Sequence, residues 1–510
     1  MQVPAEHHST RVISICDIVI SGPFGMCNHD YSASIPASSS GSTRRMRLVA
    51  YITLVSIHYQ QLLFYSSIIT IITGYHYYVA ALPLYDISIA LSVLSGLTLL
   101  WLCNCYYNSK PNVFCIDHVE FDAPPSWKVS HEDIINIAKI QGCYTEDSLN
   151  FMQRLLERSG TCPDKSAAYP PVVVESLRTN APADASAVNT REEAREVIIT
   201  TVKDLLKKTG VHPKSIDYII VNCAMYNPTP SHAAMIVNEV GMRNDVITYN
   251  LSGMGCSAGV ITIDLATRLL RETRGRALIV STEILTRCFY RGNDREPLMG
   301  NTLFRCGGAA ALLSSLPKDL SRAKYKLLHT VRTQVLGNES FETIMETDDS
   351  TKPNSIVTLR LQKSIIKVAA VAIKQNFTKL AYMVLPLREL LKVLYSMVTM
   401  KMRRKSSKEG RELYVPDFRK GTDHWCIHAG GRGVLDTLQD SLQLSDYDIQ
   451  ASRSVLYERG NTSSSSIWYE LAWLERDQRI KRGDRVLQLA FGSGFKCNSS
   501  VWLAMHNIDA

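Results

Sequence analysis

Hydrophobic and polar positions along this chain change period several times, and each change marks an element. Between Arg47 and Lys110 the only charged residue is Asp86. Residues 48–73 are apolar over a length that crosses a bilayer, since ~20 apolar residues span the hydrocarbon. His58, Gln60 and Gln61 interrupt that run. Residues 87–103 (ISIALSVLSGLTLLWLC) are cleaner and lead into Tyr106 and Tyr107, an aromatic pair of the kind found at membrane interfaces. The pattern predicts a transmembrane helical hairpin over 47–107. Beyond it, short apolar runs alternate with amphipathic ones. DVITYNL (245–251), DYIIVNC (217–223), ALIVSTE (277–283), AALLSS (310–315), HWCIHAG (424–430) and VLQLAFG (486–492) read as strands. EEAREVIITTVKDLLKKTG (192–210), the segment after Cys256, GVLDTLQDSL (433–442) and SIWYELAWLERDQ (466–478) read as helices. The alternation predicts a mixed, layered α/β architecture in two halves, 108–320 and 321–510, with no sequence repeat visible between them.

One apolar stretch stands apart. LAYMVLPLRELLKVLYSMVTM (380–400) is broken by Pro386 and runs into KMRRKSSK; Arg388, Glu389 and Lys392 argue against a third span. Two readings fit it: an amphipathic helix with its apolar face in the core, or a helix whose basic tail docks on anionic lipid.

Composition narrows the class. Residues 1–46 contain the Ser-rich, acid-free run SASIPASSSGSTRRMR, which suits a transit peptide or a disordered tail; the hairpin that follows favours the disordered extension. Arg44, Arg45 and Arg47 precede the first span, and positive flanks stay cytosolic, so everything after Lys110 is expected to face the cytosol. Thirteen cysteines without CxxC pairs point to reduced thiols rather than a disulfide framework. No Cys/His spacing resembles a zinc site, so no metal is expected. A net charge of +8 suits anionic small molecules or an anionic membrane surface and is too diffuse to argue for nucleic acid.

The chemistry concentrates at NLSGMGCSAG (250–259). Gly255-Cys256-Ser257-Ala258-Gly259 satisfies G-x-S-x-G, the nucleophile elbow of serine hydrolases, but the glycine run HAGGR lies far downstream rather than upstream. Cys256 is the alternative nucleophile. A thiol at a helix N-terminus faces unpaired N–H groups and the positive dipole end, which favours thiolate, and thioester exchange suits acyl transfer. DHWCIHAGGR (423–432) then places His424 and His428 four apart, on one face if the run is a strand. Asn461 directly precedes a serine run that opens a helix. Cys, His and Asn, each at a strand-to-helix transition, form a constellation distinct from Ser/Asp/His.

NLSGMGCSAG, GNTLFRCGGAA (300–310), CIHAGG, GNTSSSSIWYELA and AFGSGFKCNSSVW resemble the plant 3-ketoacyl-CoA synthases from about Val113 to the end, as do PPSWKVSHEDI, VNCAMYNPTPSHAAMIVN and HTVRT. The resemblance implies a thiolase-type fold, an endoplasmic-reticulum membrane location, long-chain acyl-CoA and malonyl-CoA as substrates, and no cofactor. It also implies partner elongase enzymes (reductases and a dehydratase) and a homodimer. Cys256 would carry the acyl thioester; His428 and Asn461 would donate to the malonyl thioester oxygen as the enolate forms. His424 would support them, and Gly492 and Gly494 would shape the pocket. The chain departs from the family at Tyr457, four residues before Asn461 and assigned to the substrate pocket, and at Gln334, both usually histidine. The segment 341–379 also drifts. These departures keep open a catalytically impaired paralogue that binds acyl-CoA or elongase partners. A soluble type III polyketide synthase shares the same Cys, His and Asn, and the predicted hairpin argues against it.

Overall fold

The computed structural model describes residues 91, 94–99, 101, 110–349, 357–403 and 414–508. The expected extension over 1–46 lies outside them, and so does most of the expected hairpin over 47–107. Residues 91, 94–99 and 101 are helical, with Leu91, Leu94, Leu97, Leu99 and Trp101 exposed. Among the described residues no helix is long and apolar enough to cross a membrane.

Nine strands form the main sheet: β1 (Phe114–Glu120), β2 (Tyr218–Asn222), β3 (Ile247–Leu251), β4 (Arg276–Glu283), β5 (Gly307–Ser314), β6 (Tyr325–Gln334), β7 (His424–Ile427), β8 (Arg485–Gly492) and β9 (Lys496–Ala504). Their order is β7-β8-β9-β6-β1-β5-β4-β2-β3. Outward from β1 the pairings run antiparallel, antiparallel, parallel, parallel. Outward from β6 they run antiparallel, antiparallel, parallel. The strand runs read from sequence all fall on these elements. HWCIHAG is the exception in extent, because β7 stops at Ile427 and His428 sits just past its end.

Most of these strands are apolar on both faces because both faces are covered. Their two-residue alternation sends side chains into different layers. Tyr218, Ile220, Ala309, Ala311, Val486 and Ala490 face a central layer made by α2 (Ala258–Glu272) and α7 (Ser466–Arg476). Ile219, Val221, Ala310 and Leu312 pack in the cluster of α1 (Ala187–Thr209). Leu487 and Leu489 pack in the cluster of α3 (Ile365–Val384) and α5 (Arg432–Leu442). Pro386, which cannot donate an N–H, separates α3 from α4 (Leu387–Arg403).

At the seam where β1 meets β6, a polar network is buried. Lys324 Nζ lies 2.9 Å from Asp117 Oδ1 and 2.8 Å from Glu475 Oε2. Glu475 Oε1 also accepts from Tyr325 Oη at 2.7 Å and lies 3.2 Å from His118 Nε2. Asp117, His118 and Glu475 are the residue types of a metal site, but Lys324 bridges both carboxylates and Lys208 Nζ also lies 3.0 Å from Asp117 Oδ1, so the donor set suits an ion network better than a cation.

Candidate active site

The parallel strands deliver the chemistry at their C-terminal ends, as open α/β sheets do. Cys256 follows β3, Glu283 ends β4, His428 follows β7, and Gly492 ends β8. The turn before α2 is built by Gly255, whose φ of 58° is left-handed and whose absent Cβ leaves room for the Ser493 backbone N. On the other side, a Cβ on Gly492 would stand 2.6 Å from the Cys256 backbone N. Glycine at 492 therefore lets the end of β8 press against the turn that carries Cys256. Gly494 has φ of 93°, and its carbonyl accepts from Gln334 Nε2 at 2.8 Å, so the divergent glutamine holds this loop in place.

Cys256 opens onto a cavity of about 540 Å³, within the usual range for small-molecule sites. Met225, Phe304, Phe341, Ile344 and Leu359 supply much of its apolar lining; Glu283, Arg287, Glu346 and Ser463 supply polar groups. Ser257 is fully buried, and its hydroxyl donates to Met254 O at 2.8 Å. It is not on the cavity wall, which removes the structural basis of the serine-nucleophile reading.

The side chain beside the thiol is one that motif reading did not single out. Ser463 Oγ lies 3.4 Å from Cys256 Sγ and 3.2 Å from Glu283 Oε2. Ser463 adopts φ of 57°, an uncommon conformation for a residue with a side chain. Glu283 also accepts from Met225 N at 2.8 Å, Ala224 N at 3.4 Å and Cys223 Sγ at 3.4 Å. Burial raises its pKa, and the hydrogen bonds it accepts offset that only in part. The signal available in sequence was an acid at the end of an apolar strand, ALIVSTE, and the first serine of the run after Asn461.

His428 and Asn461 join this group through one continuous set of contacts. Asn461 Oδ1 accepts from Ser463 N at 2.8 Å, and Asn461 Nδ2 donates to Gly430 O at 3.1 Å. Gly430 N in turn donates to His428 O at 2.7 Å. His428 Nδ1 lies 2.6 Å from Ser466 Oγ. With Ser466 donating, the imidazole proton sits on Nε2, which has no partner among the described residues. Burial pushes the His428 pKa down to about 3, so the ring is neutral at cellular pH. Both side chains are buried and neither lines the cavity.

The thiol differs from the sequence expectation. Protein atoms surround Cys256 on every side but the cavity, and that burial pushes its pKa up to about 12; the Ser463 hydrogen bond opposes the rise, and Glu283 adds to it. The sulfur is therefore a thiol at cellular pH, and the helix N-terminus does not by itself make a thiolate.

Two predicted residues fall elsewhere. His424 begins β7, and its Nε2 pairs with Asp484 Oδ2 at 2.9 Å. Being on the same strand face as His428 does not make it a neighbour, because four residues of strand span ~13 Å. Tyr457 lies on α6 (Asp446–Arg459), half exposed beside Gly160 and Arg432 in a separate surface recess. Its carbonyl accepts from Cys162 N at 2.8 Å. The turn at Gly460 separates its helix from Asn461, so the four-residue spacing carries no shared pocket.

Residues 106–402 match the family described as FAE1/type III polyketide synthase-like protein, and residues 388–506 match the chalcone and stilbene synthase C-terminal domain. The chain is 42% identical over 421 residues to 3-ketoacyl-CoA synthase 2 of Arabidopsis thaliana, covering 82% of this chain and 78% of that one. It is 46% identical over 409 residues to probable 3-ketoacyl-CoA synthase 20 of rice, covering 79% and 76%. Among solved structures, 1,3,6,8-tetrahydroxynaphthalene synthase of Streptomyces coelicolor superposes with a TM-score of 0.57 at 19% identity, over 77% of this chain and 99% of that one. The type III polyketide synthase domain of Steely1 from Dictyostelium gives 0.58 at 17% identity, over 77% and 99%. At those identities the two structures speak for the fold alone, a mixed α/β thiolase-like architecture.

Proposed function

The chain belongs to the FAE1/type III polyketide synthase-like family as a 3-ketoacyl-CoA synthase, an acyltransferase of very-long-chain fatty acid elongation, and from that premise we propose how its own residues carry the condensation. The Cys256 sulfur, giving up its proton as it attacks, adds to the carbonyl of a long-chain acyl-CoA. Coenzyme A leaves as the thiol, and the acyl group stays on Cys256 as a thioester. Malonyl-CoA then loses CO₂, and the electrons of the broken C–C bond pass into an enolate. His428 Nε2–H and the second Nδ2–H of Asn461 are the two donors not already spent on backbone, and they stabilise the enolate oxygen. The enolate carbon attacks the acyl thioester, Cys256 leaves as the thiolate and takes up one proton from solvent to return to the thiol, and a 3-oxoacyl-CoA lengthened by two carbons departs. A neutral imidazole suits this work, since it donates without holding a permanent charge.

Acyl-CoA and malonyl-CoA are the substrates in this reading, and an endoplasmic-reticulum membrane anchored through 47–107 is the location. The reductases and dehydratase that complete each elongation cycle are the implied partners, and a homodimer with two-fold symmetry is the implied assembly. The observation that carries the reading is a single one. Cys256 lines an apolar cavity and is linked by hydrogen bonds, through Ser463, to Asn461 and the Gly430–His428 turn.

Microsomes from a heterologous host, given labelled malonyl-CoA and a ladder of saturated acyl-CoAs, test it. Wild type should place label in products two carbons longer, and Cys256→Ala should give none above the host background. Equal product from both, with the proteins equally abundant in the membrane, would leave acyl-CoA binding without turnover as the better account.

A further inference from the structure

Helix α4 (Leu387–Arg403) is inside out for a helix of a water-soluble body. Leu387, Leu391, Leu394, Tyr395 and Val398 are between 46% and 72% exposed. At about 100° per residue these five share one arc of roughly 100° on the helix circumference. The opposite side is the one fastened to the protein, and its strongest fastening is polar. Glu389 is 1% exposed and accepts from Lys392 Nζ at 2.9 Å, from Lys420 Nζ at 2.6 Å and from the Tyr414 hydroxyl. Those cations and the hydroxyl hold its carboxyl down at a pKa of about 2, so the anchor stays charged. On the same side Ser396 Oγ accepts from Tyr414 N at 3.0 Å. Helices of soluble proteins turn the apolar stripe inward and the charges outward; α4 holds its acid inward and, Leu390 excepted, its leucines outward.

We infer that the outward face of α4 lies on the surface of a phospholipid bilayer carrying anionic headgroups, with its five apolar side chains in the headgroup–acyl boundary. Contiguous exposed apolar surface marks a partner, and charge selects which one. From Leu390 to Lys408 the sequence holds Lys392, Lys401, Arg403, Arg404, Lys405 and Lys408 and no acid. Arg388 is exposed at one edge of the apolar arc. An amphipathic helix with basic residues along its border and beyond its end is the signature of an interfacial helix, in which apolar burial and attraction to anionic lipid add. A second copy packed α4 against α4 would bring these cations against the same cations with no acid between Leu390 and Lys408 to meet them. The apolar segment 47–107 offers only Asp86. This surface is distinct from the Cys256 cavity, so the inference stands or falls independently of the condensation chemistry.

The test uses the full chain reconstituted into phosphatidylcholine vesicles with and without phosphatidylserine. Photoreactive p-benzoylphenylalanine replaces Tyr395 in one preparation and Val188, an exposed residue of α1, in another. After illumination, lipid adducts at position 395 should exceed those at 188 several-fold. They should fall when phosphatidylserine is omitted or salt is raised, because the charge contribution is screened. Arg388→Glu with Arg404→Glu should lower the adduct yield at 395 while leaving far-ultraviolet circular dichroism unchanged. Equal yields at the two positions would overturn the inference. So would a Tyr395-site crosslink to a second copy, or to 47–107 of the same chain.

Discussion

Two glutamates are buried in this molecule in different company, and the contrast separates what holds the fold from what equips the site. Glu475 sits at the β1–β6 seam with Lys324, His118 and Tyr325 around it. Burial alone would raise its pKa, but its interactions with His118 and Lys324 outweigh burial and hold it well below the ordinary carboxylate range. Glu283 sits beside Ser463 and Cys256, and its hydrogen-bond partners among the described residues are backbone N–H groups, a thiol and a hydroxyl. There burial wins and its pKa is raised. A charge with a partner stabilises; a buried carboxyl without one keeps its proton to higher pH than an exposed one. Perturbation of the second kind in a cavity wall is the usual mark of a functional group.

The largest effect on this contrast should come from the seam. Glu475→Ala leaves Lys324 facing Asp117 alone and His118 without its carboxylate, and breaking a buried network of this kind costs about 3–5 kcal/mol. Urea unfolding of the solubilised chain, read by tryptophan fluorescence, should show the loss; Trp468, 5.5 Å from His118, is a local reporter. The pH dependence has a definite sign. Glu475's folded pKa is depressed, so its stabilisation is present above the unfolded value of about 4.3 and is lost as pH falls through the folded value. The gap between wild type and Glu475→Ala should therefore close in acid. An unchanged gap there would mean that packing, not charge, made the difference.

Glu283 should behave the other way round. Its folded pKa is raised, so wild type loses stability as pH rises above about 4.3 toward the folded value. Glu283→Gln removes that titration while keeping an amide that can accept from Met225 N and donate to Ser463 Oγ. The variant should match wild type in acid and equal or exceed its stability at neutral pH. Its effect on turnover follows from one proton. Ser463 has a single hydroxyl hydrogen and two acceptors in reach, Cys256 Sγ and Glu283 Oε2. While Glu283 is protonated it donates to Ser463, and Ser463 donates to the sulfur. Once Glu283 ionises, Ser463 turns to the carboxylate and the sulfur loses its donor. A pH profile of kcat/KM in microsomes should show one descending step in wild type that Glu283→Gln lacks. Identical profiles would remove Glu283 from the reaction.

How much of this was legible follows from what kind of signal each residue leaves. Cys256, His428, Asn461 and Gly492 stand in continuous motifs, because a tight turn, a strand end and a close backbone approach each demand a residue type at a fixed local position. Ser463 and Glu283 were missed for the opposite reason. Their meaning lies in hydrogen bonds across 207 and 180 residues of chain, which no local period encodes. His424 and Tyr457 show the reverse case, residues singled out by spacing that the fold places apart from the Cys256 cavity. Periodicity states a face and says nothing of distance along it, and Gly460 ends the helix that spacing had seemed to extend toward Asn461. The α4 stretch was recognisable as amphipathic, yet which side turned inward depended on Lys420 and Tyr414 reaching Glu389 from a later segment. The hairpin at 47–107 remains a reading of hydropathy.

The smallest effect is the most discriminating one. Ser463→Ala removes the hydroxyl between Cys256 and Glu283 while leaving Cys256, His428 and Asn461 in place. The backbone at 463 is left-handed, φ 57°, and alanine meets the same steric cost there as serine, so unfolding free energy should change little. The backbone N–H of residue 463 still donates to Asn461 Oδ1, so the amide proposed to serve the enolate keeps its orientation. What is lost is a single hydrogen bond to sulfur. A net bond of this kind contributes about 1 kcal/mol, which corresponds to roughly a five- to tenfold slower step. Because the bond is to Cys256 and not to the malonyl oxygen, the deficit should appear in formation of the acyl-enzyme and spare decarboxylation. Single-turnover loading with labelled acyl-CoA, measured beside CO₂ release from malonyl-CoA, distinguishes the two. A loss confined to CO₂ release would transfer Ser463 from the thiol to the enolate, and the proton path drawn from Glu283 would have no destination.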